Sequence, residues 1–158
     1  MLKALALVLI STSLFANERV GEYSKYTFNY QGAQGERQTI VQSYSASDDT
    51  YTLVSSATIN GQTTQETEVV AADDLMTHDT AEVLLTMCEM FGGSFDTLTI
   101  AGTDYETCKM QGEDAKANKF IKGDVSGTVW IGDFAIDGIG KLESPEVTMD
   151  LIEFKWNN

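Results

Sequence analysis

The chain has 158 residues and sets 24 Asp and Glu against 10 Lys and Arg, a formal charge of −14. That balance repels phosphate backbones and anionic membrane surfaces, which excludes nucleic acid as a partner. It leaves a solvated acidic surface, a cationic protein partner or divalent ions as what the charge can serve.

Residues 1–16 read as a signal peptide: Lys3, an apolar run from Ala4 to Ile10, then Ser11 to Ala16 with cleavage after Ala16. The run is shorter than the roughly 20 apolar residues that a spanning helix needs. No cysteine follows the cleavage point to carry a lipid. The expectation is a periplasmic or secreted protein with no transmembrane segment after processing and with residues 17–158 as one domain. Losing Lys3 takes the formal charge to −15. No Lys or Arg occurs between Gln38 and Cys108; a short basic cluster then follows, Lys109, Lys116, Lys119 and Lys122, diluted by Glu113 and Asp114.

From Tyr23 onward the pattern is that of antiparallel strands. Tyr26, Phe28 and Tyr30 alternate with polar residues, and Gly32-Ala33-Gln34-Gly35 turns the chain. Ile40 and Tyr44 continue one face of the next strand, Asp48-Asp49-Thr50 turns again, and Tyr51, Leu53, Ala57 and Ile59 line the third. Asn60-Gly61 is the strongest local signal, because a type I′ hairpin needs positive φ at both central positions. The fourth strand, Gln62 to Ala72, is Thr, Glu and Gln until Val69, which fits a solvated or edge position. Leu75 and Met76 then lead beneath a helix predicted over Asp79–Phe91. Asp79 and Glu82 make its capping box, and Gly92-Gly93 supplies a left-handed stop. Leu84, Met87, Cys88 and Phe91 share its apolar face.

Beyond the helix, Phe95, Leu98 and Ile100 mark a strand, Ala101 to Asp104 a tight turn, and Tyr105 to Met110 its partner. Gln111 to Asn118 reads as polar and mobile. Phe120-Ile121 and Val125 to Ile131 resume the sheet, with Trp130 as an anchor, and Gly132 to Gly140 forms a loop. Lys141 to Glu143 is a short strand, Ser144-Pro145 a break, and Glu146 to Trp156 the last strand. There Val147, Met149 and Leu151 share one parity, while Ile152, Phe154 and Trp156 share the other. Either both faces are covered or a bulge flips the register near Leu151. Cys88 and Cys108 are the two cysteines of an exported chain, so they are expected to form a disulfide tying helix to strand. Closing about 20 residues, it is worth roughly 3 kcal/mol on the chain-entropy account.

Leu98-Thr99-Ile100-Ala101-Gly102-Thr103-Asp104-Tyr105-Glu106-Thr107-Cys108-Lys109 resembles a strand–AGT-aromatic–strand signature of exported bacterial domains of unknown function. Thr128-Val129-Trp130-Ile131 with Gly138-Ile139-Gly140-Lys141-Leu142-Glu143 is similar to the later segment of that group. The chain departs from it by Asp104 before the aromatic and by having no proline between Phe134 and Gly138. The group is similar in fold to the lipoprotein carriers of the periplasm (Lol type), and the resemblance implies a strongly curved antiparallel sheet, a half-barrel, closed by helix. The whole chain then reads as mainly β with one helix: a bent antiparallel sheet of about eight or nine strands. A single α-helix packs on it through Leu84, Met87 and Phe91.

Catalytic and metal signals are thin. His78 is the single histidine and has no nucleophile elbow or second histidine beside it, so it reads as a capping-region residue. Asp133 and Asp137, in the glycine-bounded loop, are the carboxylate pair that chemistry would use. No zinc spacing, calcium loop or phosphate cradle is present in the sequence, so no metal or cofactor is expected. Aromatic and Met side chains offer more. Tyr26, Phe28, Tyr44, Tyr51 and Met87 could line an apolar site on the sheet, or simply fill the core. The expectation is a non-catalytic exported protein that binds or carries an apolar ligand such as a lipid chain. The alternatives are a structural or protein-interaction domain with an acidic surface and, behind it, a hydrolase.

Overall fold

A computed structural model describes residues 17–111 and 127–157. The expected signal peptide, the polar stretch after Gln111 and the strand at Phe120-Ile121 lie outside these residues. Nine strands follow one another: β1 (Tyr23–Tyr30), β2 (Ala33–Ser45), β3 (Thr50–Ile59), β4 (Gln62–Ala71), β5 (Ser94–Ile100), β6 (Thr103–Gln111), β7 (Thr128–Gly132), β8 (Ile139–Glu143) and β9 (Val147–Lys155). One α-helix, α1 (His78–Thr86), stands among them in the described residues. The mainly-β expectation with a helix holds, and none of the described helices is long and apolar enough to cross a membrane.

Three hairpins turn on the same chemistry. Gln31-Gly32, Asn60-Gly61 and Ala101-Gly102 each have positive φ at both central positions, the condition for a two-residue turn that matches strand twist. The first of these lies ahead of the Gly32–Gly35 turn expected from composition. Ala33 to Gly35 belong instead to β2, pairing with Tyr30 to Phe28. Gly35 is required there for closeness, since a Cβ would lie 2.6 Å from the Phe28 ring and 2.5 Å from the Thr58 carbonyl.

All pairings are antiparallel, in the order β4-β3-β2-β1-β9-β8-β7-β6-β5. The first and last strands therefore meet in the middle, and β4 and β5 are the two edges of an open sheet. β4 is exposed along almost its whole length, as its Thr, Glu and Gln content foretells. Ile152 is an extra residue in β9, because Lys25 pairs with Glu153 while Tyr26 pairs with Leu151. That bulge resolves the parity switch: Leu151 and Phe154 reach one face.

The segment joining the two edges carries α1 across one face of the sheet. Its N-cap is Thr77 rather than Asp79: the Thr80 amide donates to Thr77 Oγ1 at 3.1 Å. Asp79 sits in the first turn, where its charge suits the positive end of the helix. The helix is also shorter than predicted. After Thr86 it gives way to a single 3-10 turn, Glu89–Phe91, which Gly92 ends with φ of 84°. Cys88, bridged to Cys108 on β6 with Cα atoms 5.6 Å apart, lies between the two pieces. Gly93 serves the bridge rather than the turn, since a Cβ would meet Cys108 Sγ at 2.5 Å.

Ala81, Leu84 and Cys88 form the buried side of this segment and pack on Cys108, Met110, Val129 and Ile131. Ala81 takes the place expected of Met87, which is half-buried outside that cluster. Leu75, Ala135 and Ile136 pack on Val41, Tyr51 and Leu53 of β2 and β3. A third cluster gathers Tyr26 of β1, Leu151 of β9, Ile100 of β5 and the wholly buried Phe134. On β7, Trp130 is 5% exposed; its indole donates to Asp96 at 2.8 Å, with Lys109 and Lys141 over its ring.

Candidate functional site

The loop between β7 and β8 decides which parts of the sheet are covered. Its backbone is anchored at both flanks: Ser24 Oγ donates to the Ala135 carbonyl at 2.6 Å, and the Met76 amide to the Ile136 carbonyl at 2.8 Å. Ile136 has φ of 73°, a left-handed conformation that a β-branched residue adopts at a cost on the order of 1–3 kcal/mol. Phe134 fills the space beneath, against the rings of Tyr105 and Phe154.

Asp133 and Asp137, the pair named from sequence, are sent in opposite directions by this loop. Asp137 turns inward, accepting hydrogen bonds from Tyr26 Oη at 2.7 Å and from the Ile139 amide at 3.0 Å. Burial raises its carboxyl above the usual range, and burial beside Asp137 raises the Tyr26 phenol well above its own. Asp133 turns outward to His78, whose Nδ1 lies 2.8 Å from Oδ1. The imidazole rests on the Trp156 indole with ring centroids 4.3 Å apart, and Trp156 Nε1 donates to the Asp133 carbonyl at 3.4 Å. Arg19 completes the group. It donates to the Met76 carbonyl at 2.7 Å, lies over the Trp156 ring and pairs with Glu22 at 2.9 Å. Glu22 is only 2% exposed, and burial raises its carboxyl despite the partner.

His78 lines a cleft of about 520 Å³ with Glu82, Leu85, Phe95, Glu106 and Asp133. An Asp–His pair can hold one imidazole tautomer and leave Nε2 for proton transfer. Among the described residues Thr86 is the hydroxyl on this cleft and no serine lines it; both cysteines are bridged. No group of three or more metal-ligating side chains occurs among the described residues. The pair itself escaped sequence reasoning because its members are 55 positions apart. The one available signal was that both flank glycine-rich or capping segments.

A second concavity lies on the sheet beyond the loop. Tyr26, Phe28 and Tyr30 alternate on one face of β1, but the loop stops over Tyr26. Phe28 is half-buried and Tyr30 is 47% exposed. Register places Met149 opposite Phe28 and Val147 opposite Tyr30. With Ala57 of β3 they floor a groove of about 290 Å³, edged by Arg37, Ser55, Thr64 and Glu66. Arg37 donates to Ser55 Oγ at 3.3 Å.

Of the five residues expected to line an apolar site, Phe28 alone borders this groove. Tyr26 and Tyr51 are spent in the core, at 2% and 3% exposure. Tyr44 stacks on Tyr51 and donates to Asp49 at 2.8 Å. Met87 caps the C-terminal end of α1, away from the groove. Comparison with protein families, with curated proteins and with solved structures returns no match for this chain.

Proposed function

We propose that the chain is an exported, non-catalytic protein that binds an apolar ligand, such as a lipid chain, in the groove on the uncovered stretch of its sheet. The observation that carries this reading is the set Phe28, Tyr30, Ala57, Val147 and Met149, which border one groove with Tyr30 exposed and the other four half-buried, on strands whose other ends are packed. Contiguous exposed apolar surface on a soluble domain marks a binding site more often than chance. The leader at residues 1–16 and the Cys88–Cys108 bridge support an oxidising, extracytoplasmic setting.

On this reading the sheet bends into a half-barrel. Tyr105 of β6 and Phe154 of β9 have ring centroids 5.4 Å apart, although β7 and β8 lie between their strands. A flat sheet would hold those strands about 14 Å apart. Within this reading the His78–Asp133 pair is a structural tie between the start of α1 and the β7–β8 loop.

The test is native mass spectrometry of protein purified from its own envelope, followed by organic extraction. A co-purifying apolar molecule that is lost in Phe28→Asp supports the proposal. A ligand-free protein that takes up no apolar probe removes it. A second reading, a protein-interaction domain, draws on β4: ten residues of exposed edge strand carrying Glu66 and Glu68, open to pairing with a cationic extended segment.

A further inference from the structure

We infer that the groove takes a single-chain amphiphile with a carboxylate head, a fatty acid, and that Arg37 is the residue that selects it. The inference rests on the apolar-ligand reading and adds to it the chemical class of the ligand.

Arg37 differs from other cations of the chain in the partner it keeps. Arg19, Lys25 and Lys141 each pair with a carboxylate, Glu22, Glu36 and Glu143 respectively, at 2.6–2.9 Å. Among the described residues Arg37 is the one cation on the groove, and no described carboxylate pairs with it; its hydrogen bond goes to a neutral hydroxyl, Ser55. In a chain with 24 acidic residues, a guanidinium held against a hydroxyl beside apolar side chains keeps its fork available. That planar fork matches a carboxylate with two parallel hydrogen bonds.

The groove's direction and size suit a single chain as well. Arg37 pairs in register with Tyr26, at the end of the groove where the β7–β8 loop stops. From there the apolar floor runs past Phe28 and Met149 to Tyr30 and Val147, about 13 Å at 3.3 Å per residue. A head at Arg37 thus places a tail along this partly exposed apolar run. A volume near 290 Å³ lies at the lower end of ligand pockets and suits one chain rather than a multi-chain lipid.

Two acidic groups bound the choice of head. Glu66 is on the same rim, and Asp137 is buried behind Tyr26, close enough for Arg37 to act on its charge. Both oppose additional negative charge, which favours a monoanionic carboxylate over a phosphate dianion.

The experiment is calorimetric titration of the mature, oxidised protein with dodecanoate, dodecanol and dodecyltrimethylammonium, repeated on Arg37→Gln, Arg37→Lys and Phe28→Ala. Dodecanoate is expected to bind about tenfold tighter than the alcohol, the scale of one charge-assisted pair. Arg37→Gln should bring the acid down to the alcohol's affinity while leaving the alcohol unchanged, and Arg37→Lys should keep part of the preference. Phe28→Ala should weaken both. Equal binding of acid and alcohol overturns the head assignment and leaves the apolar-ligand reading standing, as does tightest binding of the cation. Binding of none of the three overturns both. Arg37 is exposed, so circular dichroism of Arg37→Gln serves as the check that folding is intact.

Discussion

Tyr26 and Phe28 are two residues apart on one face of one strand, and they have opposite fates. Tyr26 is 2% exposed, under the β7–β8 loop with its hydroxyl on Asp137. Phe28 looks out on a groove with Tyr30 beyond it. The same contrast runs across β2, β3 and β9: Val41, Leu53 and Leu151 are buried, while Ala57 and Met149 are half-buried and Arg37 is exposed. Alternation along a strand decides which face a side chain takes, but what covers that face along its length is decided by other segments. Here those segments are the edge-to-edge connection with α1 and a six-residue loop held in a strained turn.

Substitutions that remove covered packing should separate the two ends most sharply. Leu84→Ala, at a position with no exposure, is expected to cost roughly 4 kcal/mol in denaturant unfolding. Cys88→Ala, read the same way, should lower stability by about 3 kcal/mol and the melting temperature with it, without abolishing the fold. At the open end Phe28→Ala should cost only about 1 kcal/mol, half the burial value of a Phe side chain, while weakening ligand binding. A loss at Phe28 as large as that at Leu84 would mean that the groove is core and the contrast false. The tie between the ends is weaker still. His78→Ala should cost about 0.5 kcal/mol, because both partners are half exposed; a much larger loss would mark His78 as a keystone of the loop.

The smallest effect is one of slope. Burial raises the Asp137 carboxyl above its ordinary 3.8, so the folded chain holds more protons than the unfolded one between that value and the raised one. In that window this group's contribution to stability falls as pH rises. Asp137→Asn should abolish that part of the decline and keep an acceptor for Tyr26, which unfolding curves at several pH values would reveal. An unchanged slope would show that Asp137 is not desolvated in solution.

What could be read in advance followed local chemistry. Asn60-Gly61 demands its turn, the parity switch at Leu151 left a bulge as one of two alternatives, and the two cysteines were expected to pair; the turn, bulge and bridge are all present. The helix start was missed by two residues, since Thr77 competes with Asp79 for the cap and both carry a suitable oxygen. The choice between apolar lining and core stayed open for a different reason, with Tyr26 and Tyr51 filling the core and Phe28 bordering the groove. Tyr26, Tyr51 and Phe28 are interchangeable in pattern, and only the path of the loop from Asp133 to Gly138 distinguishes them. The His78–Asp133 pair depends on that same path, and so was equally illegible.

The strand order also sets a timetable for folding. β1 to β4 can zip up by short hairpins, and so can β5 with β6, where Cys88 meets Cys108. β1 cannot be completed in that way. Its second neighbour is β9, and contacts such as Tyr23 with Glu153 join positions 130 residues apart. Until the last strand slots between β1 and β8, the molecule is two separate meanders with two raw inner edges, the kind of species that associates wrongly. Such a late, long-range step is slow. The acidic charge spread over both meanders then has a use during maturation, keeping unfinished copies apart until the central strand arrives.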